Sequence, residues 1–468
     1  MNKLKNTEIK KYKLFFKKLV DEMSQYGHYS QVLFLHKIKN VIQKDDKETD
    51  SYQLEDFGVK LRLFTGEHFL EYGTSLFDQK LLKKEAAKLA KRANKIKVKN
   101  PLKIPKEDKF LDKNFSTKSI RDPRRLSLKS KIKLLEDIHG KVSGKSKTII
   151  NTRAVYSEYF ETKIFVSEDR ALYQDISGCR LIVMPIVQTQ LGEIRYHFEG
   201  FFEPGCEVFD LKPKQIKDIV HKANKVAEAT KIKSGKYTVI MSPEVAGLLA
   251  HESFGHGFEA DTLFKGRAKA EEYLGKEIAS EQVSILDNPS LEGRNGSYFF
   301  DDEGQLANET YLIKNGIVKS PITDMYSAIR LNKERTANGR LESFDHKPYS
   351  RMSNTYFAPG NEKKESMLSS VRDGFYLHYS SGGMEDPKGW GVQIQGVLAE
   401  RIFNGKLTGE FFYEVGITGF LPEILINIQG VGKKLEVKGA GSCGKGHKEW
   451  VRVSEGGPHL KVKNLDLA

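Results

Sequence analysis

The chain has 468 residues, of which 39% are hydrophobic and 29% are charged, so it is long enough for two or three domains that each bury a core. Its apolar runs are short and fall far below the ~20 residues that a membrane-spanning helix needs. Lysine and arginine outnumber aspartate and glutamate by 76 to 62, and the net charge of +14 raises a nucleic-acid-binding hypothesis without establishing it.

The N-terminal segment and the cysteines indicate the expected compartment. Residues 1–11 interleave charged and apolar side chains, and therefore lack the uninterrupted apolar core of a signal peptide. The chain has 3 cysteines, Cys179, Cys206 and Cys443, which are too few and too widely spaced for a disulfide scaffold. We therefore expect a cytoplasmic protein.

Hydrophobic periodicity predicts most elements of the first half of the chain. Apolar residues recur at helical spacing in four segments, residues 8–23, 78–94, 126–139 and 214–230. Residues 58–64 alternate as a strand before a hairpin turn at residues 65–68. Residues 149–209 are rich in β-branched and aromatic side chains, which indicates an antiparallel sheet.

The second half of the chain is richer in glycine and turns. Asn-Gly pairs such as Asn315-Gly316 and Asn404-Gly405 are typical of β-hairpins, and one further helix is predicted over residues 363–372. The chain is thus predicted to be an α+β protein with an N-terminal α/β region at residues 1–110. A central region of antiparallel sheet and helix follows at residues 111–235, and a β-rich C-terminal domain at residues 236–468.

A helix that leads into a histidine pair follows the first predicted strand of the C-terminal domain. Ser242 is the expected cap of this helix, which runs into His251-Glu252-Ser253-Phe254-Gly255-His256. At about 100° per residue, a regular helix would point the two imidazoles about 140° apart. The histidines can therefore bind one ion only if the helix ends, kinks or bulges between them, which Gly255 and Gly257 favour.

The residue types of this motif are those of metal-assisted hydrolysis. In zinc hydrolases a glutamate such as Glu252 takes a proton from the attacking water, while the metal polarises the scissile carbonyl. Two histidines need a third protein ligand, and the spacing leaves its identity open. A pair of helix histidines with ordinary hydrogen bonds is the alternative.

The segment from His251 to Asp261 resembles the TldD/PmbA family of metalloproteases, specifically its metal-bearing TldD branch. The likeness continues in four further segments, Asp301-Asp302-Glu303-Gly304, residues 338–356, Gly441-Ser442-Cys443-Gly444-Lys445 and Gly457-Pro458-His459-Leu460. It covers the chain from about residue 236 to the C-terminus and is looser in the N-terminal half. Ala337 stands where the family pattern leads us to expect glycine.

The resemblance implies a set of site residues. Two histidines and a distant cysteine hold the metal in this family, which carries over to His251, His256 and Cys443, with Glu252 as the general base. A thiolate in a glycine-rich turn is a good zinc ligand. The C-terminal domain is then a metallopeptidase domain that carries the metal-binding helix.

The other two thiols are expected to have no part in metal binding, and His447 is left as an untested spare ligand. Cys179 and Cys206 lie in β-rich segments and are expected to be buried packing residues. His447 is expected to be a surface loop residue.

The resemblance also implies a cofactor, a substrate class and a partner. We expect one Zn²⁺ per chain, with another divalent metal as the alternative, and hydrolysis of unfolded or extended polypeptides. A peptide can add as a strand to a sheet edge, for which Arg351, Asn354, Gly382 and Gly383 are candidate contacts. The expected assembly is a homodimer or a heterodimer with a PmbA/TldE-like subunit, with no membrane partner and no nucleic acid.

Two other function classes are weighed against the zinc-dependent peptidase. A non-catalytic assembly subunit would resemble the metal-free branch of the family, but the intact histidine motif with Cys443 argues against it. A basic nucleic-acid-binding protein would account for the net charge, but no RNA-recognition motif with interleaved aromatic residues occurs.

Overall fold

A computed structural model describes residues 3–446 and 448–468 and has the α+β architecture that the sequence predicts. One large sheet forms the N-terminal half, and two large sheets with one two-stranded sheet, Gly339–Arg340 with Tyr349–Ser350, form the C-terminal half. No helix in the described ranges is long and apolar enough to cross a membrane.

The N-terminal half is a sheet covered by amphipathic helices. Its helices are α1 (Asn6–Ser24), α2 (Gln79–Ala93), α3 (Leu128–Val142) and α4 (Pro213–Glu228). Its strands are β1 (Tyr29–Lys44), β2 (Thr49–Phe64), β3 (Phe69–Thr74), β4 (Leu111–Ser116), β5 (Ile149–Ser167), β6 (Arg170–Gln188), β7 (Ile194–Tyr196) and β8 (Glu199–Glu203). They pair in the order β3-β2-β1-β5-β6-β4, with β7 and β8 also on β6.

The C-terminal half begins at a strand that leads into the metal-motif helix. Its helices are α5 (Pro243–Ala250), α6 (Ala260–Leu263), α7 (Met325–Leu331), α8 (Lys364–Ser369) and α9 (Leu421–Ile426). Its strands are β9 (Gly235–Met241), β10 (Ile285–Asp287), β11 (Thr310–Lys314), β12 (Ile317–Val318), β13 (Gly339–Arg340), β14 (Tyr349–Ser350), β15 (Asn354–Phe357), β16 (Asp373–Tyr379), β17 (Gly382–Glu385), β18 (Gly391–Phe403), β19 (Lys406–Phe420), β20 (Ile428–Val431), β21 (Glu436–Val437), β22 (Gly441–Lys445), β23 (Lys448–Gly457) and β24 (Leu460–Leu467).

Two sheets enclose helix α5. One has the strand order β12-β11-β10-β15-β23-β21, with β22 paired to β23, and the other has the order β16-β9-β24-β19-β18-β17. Helix α5 contacts β23 and β15 on one side and β16 on the other. Its Val245 and Leu249 side chains are fully buried in the core between the sheets. The metal-motif helix is therefore held rigidly from both sides.

The predicted helices are found as α1 to α4 and α8, with ends that differ by a few residues from the predicted ones. The N-terminal sheet differs more from the predicted domain plan. Strand β1 pairs with β5 along its length, as in the pair Val32 and Val166, so one sheet runs across the boundary predicted at residue 110. The local hydrophobic pattern of the sequence does not predict that strands this far apart in the chain pair with each other.

Ala337 has a backbone conformation that favours glycine. Its φ is +61°, in the left-handed region, and its side chain is fully buried. The hydroxyl of Tyr298 donates to its carbonyl oxygen at 2.8 Å. The alanine thus occupies a turn whose backbone would suit the glycine that the family pattern leads us to expect.

Candidate metal centre

Helix α5 is positioned by its cap and by a glycine contact. The Ser242 hydroxyl accepts a hydrogen bond from the backbone N–H of Val245 at 3.3 Å, which fixes the start of the helix. A Cβ on Gly247 would lie 2.2 Å from the backbone nitrogen of Gly456, so only glycine lets the helix approach β23 this closely. The helix end is thereby set against the sheet that carries the C-terminal hairpin.

A π-helical turn, His251–Gly255, follows α5. Its closing hydrogen bond runs from the N–H of His256 to the carbonyl oxygen of His251, five residues back instead of four. The wider turn places residues that are five positions apart on the same side of the helix. The imidazole centroids of His251 and His256 are accordingly 5.3 Å apart, with ring planes at 90°. The predicted departure from α-helical geometry between the two histidines is confirmed.

Cys443 approaches the two histidines from a distant part of the chain. It lies on β22, opposite Val451 of β23. Its Sγ is 3.1 Å from Nε2 of His256, and one potential ligand atom from each of His251, His256 and Cys443 lies within 4.8 Å of the other two. The structure therefore brings the three predicted ligands together.

The donor set of two imidazoles and one thiol fits a zinc ion. Bonds of about 2.0 Å to nitrogen and about 2.3 Å to sulfur, at tetrahedral angles, place ligand atoms about 3.5 Å apart. The Nδ1 atom of His251 is buried and has no hydrogen-bond partner among the described residues, although buried polar atoms normally have one. Three protein ligands would leave a fourth position open, as in catalytic zinc sites.

The charges around Cys443 favour its metal-binding form. Burial raises the pKa of the thiol, but His251 and His256 outweigh burial and lower this pKa to about 5. Burial likewise lowers the pKa of His256, but Cys443 and Glu259 raise it well above its usual value. A thiolate is the form of cysteine that binds metals.

Arg351 and Lys445 connect Cys443 to the buried carboxylate of Glu259. The Arg351 guanidinium donates from Nε to Glu259 Oε1 and from Nη2 to Cys443 Sγ, each at 3.0 Å. The Lys445 ammonium is 2.9 Å from Glu259 Oε2. That oxygen lies 3.6 Å from Nδ1 of His256, the ring nitrogen that faces away from Cys443. Such a carboxylate orients a metal-binding imidazole.

Glu252 lies against the edge strand β17. Its side chain is 7% exposed, and a Cβ on Gly383 would lie 2.7 Å from its Cγ. A Cβ on Gly382 would meet no atom within 4 Å. Strand β17 is the last strand of its sheet in the described structure. Glu252, Gly382 and Gly383 thus meet at one open sheet edge.

Arg351 and Asn354 are placed differently from the expected substrate contacts. Both side chains are 0% exposed, so neither can contact a peptide in this structure. The Arg351 guanidinium donates a hydrogen bond to the sulfur of Cys443. Asn354 donates from Nδ2 to the backbone oxygen of Asn288 at 2.7 Å and to the hydroxyl of Ser297 at 3.0 Å. Both residues support the loops around the site.

The other thiols lie in the N-terminal half, away from the metal centre. Cys179 and Cys206 are fully buried in an apolar cluster that includes Tyr156, which agrees with the predicted packing role. The Tyr156 hydroxyl is 3.2 Å from the sulfur of Cys179. His447 lies outside the described residues.

Sequence reasoning missed the supporting residues Glu259 and Lys445. A carboxylate three positions after a metal-binding histidine is a usable signal, since such histidines commonly pair their second nitrogen with a carboxylate. The lysine two positions after Cys443 gave no such signal, because its partner lies far away in the sequence.

Two family models match the C-terminal and central parts of the chain. Residues 234–468 match a family model described as the PmbA/TldA metallopeptidase C-terminal domain, and residues 121–232 match the central domain of the same description.

Individual proteins extend the similarity to nearly the whole chain. A metalloprotease of Methanocaldococcus jannaschii is 32% identical over 446 residues, which is 94% of this chain and 96% of that protein. A protein of Saccharolobus solfataricus named zinc metalloprotease TldD homolog is 30% identical over 320 residues, 67% of this chain and 70% of that protein. The crystal structure of TldE from Thermococcus kodakarensis shares the fold, with a TM-score of 0.74 at 16% identity over 97% of this chain and 100% of that chain.

Proposed function

Because the chain belongs to the PmbA/TldD metallopeptidase family, we propose that it is a zinc-dependent peptidase whose ion is held by His251, His256 and Cys443. The observation that carries this proposal is the convergence of three ligand atoms within 4.8 Å. Two of these residues, His256 and Cys443, are 187 positions apart in the chain. Packing of an apolar core alone does not require a thiol and two imidazoles at one point.

Glu252 is the proposed general base. Zinc, when bound, polarises the peptide carbonyl and lowers the pKa of the attacking water. The Glu252 carboxylate adjoins the ligand His251 in the chain and accepts the proton of that water, which it then delivers to the leaving amine. Because its side chain is nearly buried, bulk water is largely kept from this proton transfer.

The proposed substrate is an extended polypeptide that adds as a strand to β17. The free edge of β17 offers backbone groups to any peptide, so binding there depends little on sequence. Gly382 and Gly383 have no side chains that would keep a peptide away from Glu252. Folded proteins cannot present an unpaired strand in this way, which is why we propose unfolded or extended substrates.

Metal analysis combined with a cleavage assay tests the proposed function. The purified chain is expected to contain about one zinc per molecule and to cleave reduced, alkylated casein. A chelator should stop this cleavage, and added zinc should restore it. A chain that takes up no metal after zinc is supplied, or that cleaves equally well with the chelator, would contradict the proposal.

We further propose that the chain works as a dimer, either with itself or with a TldE-like subunit. The shared fold with TldE supports the second arrangement, since related folds can form a pseudo-symmetric pair. Light scattering of the isolated chain distinguishes the two, because only a homodimer has twice the chain mass on its own. The free thiols Cys179, Cys206 and Cys443 support the expected cytoplasmic setting.

A further inference from the structure

Glu385, on edge strand β17, has a carboxyl group without a partner. Both of its carboxyl oxygens are buried, and neither forms a hydrogen bond in the described part of the chain. The indole Nε1 of Trp390, whose side chain is 0% exposed, is also buried without a partner. Buried polar groups normally have hydrogen-bond partners. The described residues of the chain thus supply no hydrogen-bond partner to the Glu385 carboxyl or to the Trp390 N–H.

Both unsatisfied groups lie next to Gly257, the residue after the ligand His256. A Cβ on Gly257 would be 2.5 Å from Glu385 Oε1 and 3.0 Å from Trp390 Nε1. The absence of a side chain at Gly257 leaves space for these two groups. The acidic and the indole group thus converge beside the metal-binding turn.

The strand geometry relates Glu385 to the general base. Residues two positions apart on a strand face the same side, so Glu385 faces the same side of β17 as Gly383, which contacts Glu252. The spacing along the strand is about 7 Å. A peptide added to β17 would therefore pass Glu252 and Glu385 in succession, at positions two residues apart.

The carboxylates along this edge lack positive partners. In the described ranges, no lysine or arginine side chain forms an ion pair with Glu252, Glu385 or Asp386, whereas Glu259 is paired with both Arg351 and Lys445. Burial without a positive partner raises the pKa of the Glu385 carboxyl well above its usual value. A cation that keeps this carboxyl ionised would have to come from a molecule bound beside it.

We propose that Glu385 binds a protonated amine of the peptide substrate, either the free α-amino group or a lysine side chain, and so selects which peptide bond reaches the metal centre. The proposal rests on the proposed peptidase function. An ammonium group has three donors, two of which the Glu385 oxygens can accept. The Trp390 N–H can donate to a carbonyl of the same peptide, which accounts for the second unsatisfied group.

The test measures peptide binding instead of turnover, in zinc-loaded protein made inactive by Glu252→Gln. Fluorescence anisotropy compares three labelled peptides of one sequence: one with a free α-amino group and norleucine in place of lysine, one N-acetylated with lysine, and one N-acetylated with norleucine. At least one amine-bearing peptide should bind about tenfold more tightly than the third. Adding Glu385→Gln should abolish that preference and leave binding of the third peptide unchanged.

The two amine-bearing peptides identify the source of the amine. A preference for the free α-amino group means that the enzyme trims peptides from the N-terminus, and a preference for lysine means internal cleavage near that residue. Equal binding of all three peptides to the protein that retains Glu385 would overturn the proposal, whether or not Glu385→Gln folds. An equal weakening of all three by Glu385→Gln would also overturn it, since that result means a structural role.

Controls separate this proposal from the proposed peptidase function. Zinc content and melting temperature of the Glu385→Gln protein should match those of the parent, and Glu281→Gln, at an exposed position, should change no peptide affinity. A chain that binds no zinc would contradict the peptidase function itself. A zinc-binding, active chain that shows no preference for amine-bearing peptides would contradict only the role of Glu385.

Discussion

The guanidinium of Arg351 donates from Nη2 to both the backbone oxygen and the sulfur of Cys443, each at 3.0 Å. This double contact fixes the direction of the thiol, and the bond from Arg351 Nε to Glu259 fixes the guanidinium from its other side. A planar fork of donors can make these contacts together, whereas a lysine ammonium cannot reproduce their geometry. Arg351 therefore positions Cys443, the proposed metal ligand, through a chain of hydrogen bonds.

Replacing Arg351 should weaken metal binding more than substrate binding. We expect Arg351→Lys to lower zinc affinity about 10- to 100-fold, the usual effect of losing a residue that orients a ligand. Competition with a chromophoric chelator measures this change. Arg401→Lys is a matched control, because Arg401 pairs with Asp373 at the surface. An unchanged zinc affinity with a raised KM for peptides would mean that Arg351 contacts substrate after all.

Removal of single thiols should identify the third metal ligand. Cys443→Ala should lower zinc affinity by more than about 100-fold, because it removes a ligand itself and not only a group that orients one. Cys179→Ala and Cys206→Ala should leave the zinc content unchanged, since both residues lie in a separate apolar cluster. Elemental analysis after dialysis measures all three variants. Equal zinc loss in the three proteins would show that Cys443 is not the ligand.

The general base should be separable from the metal ligands. Glu252→Gln keeps the size of the side chain but cannot accept the proton of the attacking water. We therefore expect the rate of peptide cleavage to fall by about 10²- to 10⁴-fold while the zinc content stays the same. Glu281→Gln, at an exposed position, should leave the cleavage rate unchanged. Cleavage by Glu252→Gln at the parent rate would exclude this residue as the base.

The left-handed backbone of Ala337 should be relieved by glycine. The left-handed conformation destabilises a non-glycine residue by about 1–2 kcal/mol, and glycine would remove this strain. Part of the resulting stabilisation is offset because glycine has more conformational freedom in the unfolded chain. We expect Ala337→Gly to raise the free energy of unfolding by about 1 kcal/mol, measured by urea denaturation. Ala328→Gly, in the middle of helix α7, should lower it by about the same amount. A loss of stability in both variants would mean that packing of the Ala337 side chain outweighs its strain.

Glu199 should contribute stability that depends on pH. Burial raises the pKa of Glu199, but His197 and Lys222 outweigh it and lower the pKa to about 2. Since the folded pKa lies below the unfolded value of about 4.5, the contribution is complete above pH ~4.5 and is lost as the pH falls towards 2. It amounts to about 3 kcal/mol at pH 7.

The variant Glu199→Gln tests this dependence. Its deficit in the free energy of unfolding should persist between pH 7 and 5 and should shrink below pH ~4.5. Urea titrations at pH 7, 5 and 3 measure the deficit. Glu193→Gln, which breaks an exposed pair with Arg195, should have a small effect. A deficit at pH 3 as large as that at pH 7 would contradict the assignment.

The parts of the fold that could be predicted are those with a local signal. The helix over α1 follows from apolar residues such as Phe16 and Leu19 at helical spacing, and both are buried. The metal-motif helix follows from the cap at Ser242. Helix geometry requires that the helix end, kink or bulge between His251 and His256 if both bind one ion. It does not predict that the departure is a single π turn.

The remaining features depend on contacts between distant segments. The pairing of β1 with β5 across residue 110 has no counterpart in local periodicity. The sequence makes Arg351 a candidate peptide contact, and only the folded chain shows that it is buried against Cys443. Glu385 reads as a surface residue of a turn, and its unsatisfied oxygens become evident only once Gly257 and Trp390 are placed beside it.

The hairpin of β22 and β23 brings Cys443 close to His256, which lies 187 positions earlier in the chain. An ion bound between these residues would therefore also cross-link distant parts of the chain. Anything that binds only the folded state stabilises it by mass action. A metal affinity measured for this chain would therefore include the free energy of placing the hairpin against the π turn. A variant that loosens this hairpin would then release metal although all three proposed ligands are intact.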